Sequence, residues 1–268
     1  MKKIIQLVLA LGVLFFIASP LVQAEVPNTP INWGFKKASE GRPADAGKQH
    51  EQLLEKYGAV YKGDSNKKEI YLTFDNGYEN GYTNQILDIL KKEKVPATFF
   101  VTGHYLESAE DQVIRMVEEG HIVGNHSYYH PDLTQVDDAR VKRELEKVRA
   151  LTYELTGQKH MSYLRPPRGV FSERTMKLAK DEGYTHVFWS LAFVDWNRDQ
   201  QKGWEYSYNN IMRQIHPGAI LLLHTVSKDN ADALEKVIKD LKKDGYTFKS
   251  LDDLFANKEL DHPMLHKK

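Results

Sequence analysis

From residue 69 onward, hydrophobic and polar positions alternate between two periods. Short apolar runs rich in β-branched and aromatic residues are followed by longer stretches with apolar positions three and four apart. The first kind reads as buried strand and the second as amphipathic helix. Ile70 to Phe74 is the first such strand, and it closes on Asp75-Asn76-Gly77, a turn signal. A helix over Thr83 to Glu93 follows, with Ile86, Leu87 and Leu90 on one face. Ala97 to Val101 is the second strand, and Ser108 is placed to cap a helix running to Glu119. His121 to Gly124 is the third strand, and a long charged helix covers Asp137 to Leu155. Met161 to Leu164 predicts a short strand, Ser172 with Thr175 a helix start, and Val187 to Val194 a longer strand. A helix near Tyr208 to Ile215, an intensely apolar strand Ala219 to Leu223, a helix Asn230 to Lys243 and a last strand Tyr246 to Phe248 complete the series.

Strands that alternate with helices predict βαβ units and a mostly parallel sheet. About seven such units in one domain suit an α/β fold of the distorted (β/α) barrel kind; a doubly wound open sheet is the alternative. Residues 25–66, with Pro27, Pro30 and Pro43, read as an irregular N-terminal extension that packs on the barrel. A short helix covers Gln49 to Tyr57, and Trp33-Gly34-Phe35 is placed to cover a core edge. The domain proper is expected over 67–255, with a polar, frayed tail at 256–268.

Composition narrows the function. Lys plus Arg equals Asp plus Glu at 37 each, which argues against nucleic acid as a partner. There is no cysteine, so disulfides, thiolate nucleophiles and cysteine-ligated metals are excluded. At the N-terminus, Lys2 and Lys3 precede an apolar run from Ile4 to Ala18, and Val22-Gln23-Ala24 has small residues at the offsets of a cleavage site. The run is shorter than the ~20 residues a spanning helix needs. Residues 1–24 therefore read as a cleaved secretory signal rather than a membrane anchor. The mature chain is expected to work outside the cytoplasmic membrane, as a monomer with no integral span.

The chemistry is concentrated where strands end. Asp75-Asn76, His126 with His130, Arg165, Asp195-Trp196 and His224 each follow an apolar run. In a parallel barrel all strand C-termini share one face, so these groups are expected to converge. Each also has a plain reading taken alone: a turn cap for Asp75, solvent-facing imidazoles for His126 and His130, a core histidine for His224, a salt bridge for Arg165 and Asp195. Together they are costly to bury unless they pair or hold an ion. Two imidazoles spaced H-x-x-x-H can grip one divalent ion, and Pro131 disfavours helix at His130, placing the pair on a strand-to-loop turn. Such an ion, with an oxygen from Asn76, lowers the pKa of bound water and polarises a carbonyl. Asp75 can accept the water's proton, His224 can protonate a leaving amine, Asp195 can orient His224, and Arg165 can keep Asp75 ionised. The sum describes hydrolysis of an amide or ester.

The segments Thr73-Phe74-Asp75-Asn76-Gly77, His126-Ser127-Tyr128-Tyr129-His130, Arg165-Pro166-Pro167-Arg168-Gly169, Asp195-Trp196 and Leu222-Leu223-His224-Thr225 resemble, in order, the five motifs of the polysaccharide deacetylases, carbohydrate esterase family 4. The resemblance spans about residues 67–255. It implies a distorted (β/α) barrel and metal-dependent removal of N-acetyl groups from a glycan. By the same resemblance Asp75 is the base, His126 and His130 are metal ligands, His224 is the acid, and Arg165 and Asp195 tune base and acid. The Arg168 backbone N–H would help to stabilise the oxyanion.

Two departures matter. The family usually carries Asp-Asp where this chain has Asp75-Asn76, so the third ligand is neutral; Mg²⁺, Mn²⁺ or weakly held Zn²⁺ is expected. Arg168 stands where the family often has an aromatic residue. With the signal peptide, these features resemble the branch that deacetylates N-acetylmuramic acid in peptidoglycan, associated with muramic δ-lactam in spore cortex. A guanidinium suits the lactyl carboxylate of muramic acid. Tyr128, Tyr129 and Trp196, with Trp204, are expected to offer sugar-stacking faces, and Trp189 to lie in the core. The competing expectations are an N-acetylglucosamine deacetylase on peptidoglycan or chitin, an O-acetyl esterase, and a non-catalytic glycan-binding relative.

Overall fold

The structure, a computed structural model, describes residues 26–39 and 42–261. The segment 1–24, read from sequence as a secretory signal, and the last residues of the tail lie outside them. In chain order, β1 (Ile31–Asn32) pairs antiparallel with a later short strand, and α1 (Lys48–Tyr57) ends on Gly58 at φ 71°. The central strand β2 (Glu69–Asn76) is followed by α2 (Thr83–Glu93), β3 (Ala97–Val101), α3 (Gly103–Ser108), α4 (Glu110–Glu118) and β4 (Ile122–Asn125). Next come α5 (Asp138–Thr156), β5 (Tyr163–Leu164), β6 (Val170–Phe171), α6 (Glu173–Asp181) and β7 (Thr185–His186). The chain closes with α7 (Trp204–Gln214), β8 (Ile220–His224), α8 (Lys228–Lys243), β9 (Thr247–Phe248) and α9 (Leu251–Asp261).

Seven strands form one curled, all-parallel sheet in the order β7-β5-β4-β3-β2-β8, with β9 on the lower end of β2. This is the distorted (β/α) barrel expected, closed over only part of its circumference. β2 is buried on both faces, which is why its sequence is nearly continuous in apolar residues. Phe74 stacks on Phe99 at 5.1 Å between ring centres, and α2, α4, α5 and α8 pack Leu87, Met116, Leu145 and Leu234 onto the sheet. Each such side chain contributes about 1.5–3 kcal/mol of burial.

The N-terminal arm lies on the barrel. Trp33 stacks on Phe188 at 4.6 Å, and its Nε1–H donates to the Trp189 carbonyl at 3.0 Å.

Four boundaries depart from the sequence pattern. The single helix expected over 108–119 is replaced by two, α3 and α4, that break at Ala109. Thr102 Oγ1 accepts from the Tyr105 N–H and starts α3, so Ser108 ends that helix instead of capping the next. The stretch 187–194 is irregular apart from single bridges at Val187 and Leu191. The carbonyls of Val187 and Phe188 accept from the Arg165 side chain, which takes acceptors a further ladder would need. The helix read near 208–215 starts at Trp204, and α9 continues to Asp261 where a frayed tail was expected.

Candidate active site

Parallel register brings the strand ends together on one edge of the barrel. Asp75 on β2 is the cross-strand partner of His224 on β8, and Asn125, immediately before His126, pairs with Leu164, immediately before Arg165. The five strand-end groups singled out from sequence thus share one rim.

Asp75 is buried, and its two oxygens face different partners. Oδ1 accepts from a terminal nitrogen of Arg165 at 2.8 Å; Oδ2 lies 3.5 Å from His126 Nε2. Burial alone would raise its pKa. The charge of Arg165, with a smaller contribution from His224, outweighs burial and holds the carboxyl below its usual range. Asp75 is therefore a carboxylate at neutral pH. Arg165 is fully buried, its guanidinium 4.3 Å from the Phe100 ring and 5.5 Å from that of Trp189. Trp189, half-buried, also packs on Gly169, where a Cβ would come within 2.8 Å of the indole. Gly169, at φ 67°, is thus required by both backbone and space.

His126 Nδ1–H donates to the Arg165 carbonyl at 2.8 Å. A carbonyl can only accept, so in the neutral ring the Nε2 lone pair is left facing Asp75 and His130. His130 Nε2 lies 3.2 Å from His126 Nε2. Burial keeps His126 neutral, and burial with the neighbouring His126 lowers His130 to about 4. The turn that brings the rings together is strained. Ser127 and His130 both sit in the left-handed region, at φ 62° and 55°, each costing of order 1 kcal/mol or more. Two side chains that the sequence reading missed brace it. Asn125 Oδ1 accepts from the Ser127 N–H at 2.9 Å, and buried Glu144 on α5 accepts from the Tyr129 N–H at 2.7 Å. Neither carries a local motif; only the fold places them.

Nitrogen lone pairs at that separation repel unless a proton or cation lies between them. The two imidazoles therefore fit a shared ion. Asn76 offers a buried Oδ1 with no hydrogen-bond partner, while its Nδ2 donates to Thr225 Oγ1 at 2.8 Å. Among the described residues no three His, Asp or Glu side chains form a ligand group. The donor set is two imidazoles and at most one neutral amide, which fits a weakly held ion.

On β8, His224 Nδ1–H donates to Asp195 Oδ1 at 2.7 Å. Burial would lower the His224 pKa, but the Asp195 carboxylate raises it above its ordinary value, with a smaller contribution from Asp75. The Trp196 ring, about half exposed, stands 5.6 Å from the His224 ring. Tyr128 and Tyr129 meet edge to face at 4.6 Å, with Lys147 over both rings. Tyr128 packs on Gly103, and its hydroxyl bonds Glu107. Trp204 contacts Tyr208. The aromatic faces thus fall into separate groups, and no ring contact joins them into one platform. The Arg168 side chain is largely exposed, 3.9 Å from Asp132, and its backbone is left-handed at φ 57°.

Residues 62–187 match the family model described as polysaccharide deacetylase. The chain is 56% identical, over 93% of its length and 95% of the relative's, to the peptidoglycan-N-acetylmuramic acid deacetylase PdaA of Bacillus subtilis strain 168. It is 62% identical to an uncharacterised protein of Geobacillus stearothermophilus, over 94% of this chain and 96% of that one. The solved structure of Bacillus subtilis PdaA, a family 4 carbohydrate esterase, superposes with a TM-score of 0.86 at 57% identity, covering 87% of this chain and all of that one. The chain belongs to the polysaccharide deacetylase family, the family 4 carbohydrate esterases.

Proposed function

We propose that this protein hydrolyses the N-acetyl group of N-acetylmuramic acid residues in peptidoglycan. The observation that carries the reading is the pairing of two opposed proton-transfer groups on neighbouring strands. An ionised carboxylate, Asp75, stands beside an imidazole, His224, whose protonated form a second carboxylate favours. The relationship to PdaA supports the muramic substrate.

In this reading Asp75 removes a proton from the attacking water. Arg165 keeps it ionised until then. His224, held by Asp195, which favours its protonated form, donates to the nitrogen as the C–N bond breaks. Acetate and a free amine leave. His126 and His130, with Asn76, would hold a divalent ion, Zn²⁺, Mg²⁺ or Mn²⁺; family members depend on such an ion in general. When bound it supplies Lewis acidity toward water and the amide carbonyl. Arg168 reads the lactyl carboxylate, and the exposed ring of Trp196 packs on the sugar beside His224. Tyr128 and Tyr129, two and one residues before His130, take the neighbouring sugar.

The product amine lies on the same sugar as the lactyl carboxylate, so closure to a muramic δ-lactam is intramolecular and strongly favoured by proximity. This chemistry fits a role in spore cortex, reached by secretion through residues 1–24. Among the described residues no helix is long and apolar enough to cross a membrane.

The test of the substrate is acetate release from muramic and glucosamine oligomers by wild type and Arg168→Tyr. Wild type should prefer muramic substrates, and the variant should lose that preference. Equal preference in both proteins removes Arg168 from recognition.

A further inference from the structure

The Asp195–His224 pair does not stand alone. Asp195 Oδ2 accepts two more hydrogen bonds, from the His224 backbone N–H at 2.9 Å and from Asn230 Nδ2 at 2.6 Å. Asn230 lies in the first turn of α8 and is buried. The same Nδ2 reaches the His224 carbonyl at 3.2 Å. Asn230 Oδ1 accepts from Ser207 Oγ–H on α7 at 2.8 Å. Ser207 is itself fully buried. A carboxylate can only accept, so the amide nitrogen must face Asp195 and its oxygen must face Ser207. A single chain of hydrogen bonds thus runs from α7 through α8 to the Asp195 carboxylate, which also accepts from the imidazole on β8.

Three donors on one carboxylate leave it a single orientation. Without the Asn230 amide, Asp195 Oδ2 keeps only the backbone N–H, and the carboxylate loses a buried side-chain donor that helps to fix its rotation. The other charged and titratable groups facing His224 are Asp75 on β2, Arg165 after β5, and His126 and His130 after β4. None of them contacts Nδ1, so none can replace Asp195 in fixing the ring.

We infer that Asn230, oriented by Ser207, is a positioning residue of the reaction: it locks the Asp195 carboxylate so that the His224 ring is held in its proton-donating orientation. This rests on the deacetylase reading above. Asn230 touches neither substrate nor reacting atoms.

The test uses three variants of the whole protein: Asn230→Ala, the isosteric Asn230→Asp, and Ser207→Ala. Two readouts are followed: acetate-release kinetics, and the proton spectrum of the ligand-free protein, where the His224 Nδ1 proton should lie downfield. Asn230→Ala should lower kcat about tenfold with KM little changed, the size expected when a buried orienting partner is lost. The Nδ1 resonance should broaden or vanish. Asn230→Asp fills the same space without the donor and should do no better at pH 8. Ser207→Ala, which leaves α8 untouched, should give a smaller change of the same kind, and it decides the matter if Asn230→Ala does not fold. A wild-type resonance with wild-type kcat in folded Asn230→Ala or Ser207→Ala overturns the inference, as does full rescue by Asn230→Asp. If wild type releases no acetate from any glycan, the deacetylase reading fails, while the resonance still reports whether Asn230 holds the ring.

Discussion

Replacing Arg165 by methionine removes the countercharge of Asp75 while keeping an apolar stem between Phe100 and Trp189. Arg165 is fully buried and bonds Asp75 Oδ1 at 2.8 Å, the Val187 carbonyl at 3.1 Å and the Phe188 carbonyl at 3.4 Å. Removing one partner of a buried ion pair costs about 3–5 kcal/mol, because the other charge is left uncompensated. The two carbonyls also lose their donors. Asp75→Asn makes the converse error and strands the guanidinium. In Asp75→Asn/Arg165→Met neither charge remains, so the double variant should be more stable than the sum of the singles predicts, by at least about 2 kcal/mol. The loss in Arg165→Met also depends on pH. In wild type the carboxyl is held below its usual range, so its stabilising contribution is present above that range and fades as pH falls through the depressed value. In the variant burial dominates and the folded-state pKa rises, so the deficit should shrink as acid neutralises Asp75. Urea denaturation of the four proteins at several pH values from 5 to 8 measures both effects. Additive single changes, within about 0.5 kcal/mol, or a deficit independent of pH, would refute the claim that Arg165 is there to keep Asp75 charged.

Other expectations follow from the same geometry. Because Asp195 raises the His224 pKa, activity should hold at neutral pH and fall as pH rises through that value; Asp195→Asn should move this basic limb to lower pH and cut kcat about 10²-fold or more, read from kcat against pH. If Asn76 Oδ1 completes the proposed His126–His130 ligand set, Asn76→Asp makes that oxygen charged and should tighten Zn²⁺ binding in isothermal titration; equal affinity would deny Asn76 a place among the ligands. His186, buried with Nε2 unpaired, is pushed by burial down to about 4, so it favours the fold above its ordinary value and costs stability as pH falls from there toward 4, up to roughly 3 kcal/mol. His186→Phe should flatten the pH dependence of urea stability over that window, and an unchanged slope would show that other groups carry it.

Much of the rim was legible because each group ends an apolar run, and a parallel sheet aligns such ends without further information. The Ser172–Thr175 helix start was readable for a local reason: the two side chains and backbones satisfy one another across three residues. What escaped depends on distant partners. Residues 187–194 have the composition of a strand, yet Arg165, more than twenty residues upstream, takes carbonyls there. The helix break at Ala109, at φ −138° and ψ 42°, has neither Gly nor Pro to announce it. Glu144 and Asn230 look like ordinary polar positions on charged helices, and only the packing of α5 and α8 turns them inward to brace the His126–His130 turn and the Asp195 carboxylate.

Joint removal of the muramic acetyl group by Asp75 and His224 is read by mass spectrometry of digests of purified peptidoglycan treated with wild type, Asp75→Asn or His224→Ala, with divalent ions added. Wild type should give muramic residues lighter by one acetyl group, and both folded variants should leave the glycan unchanged. Acetyl loss confined to glucosamine, or loss of muramic acetyl groups at the wild-type rate by either variant, would contradict the account.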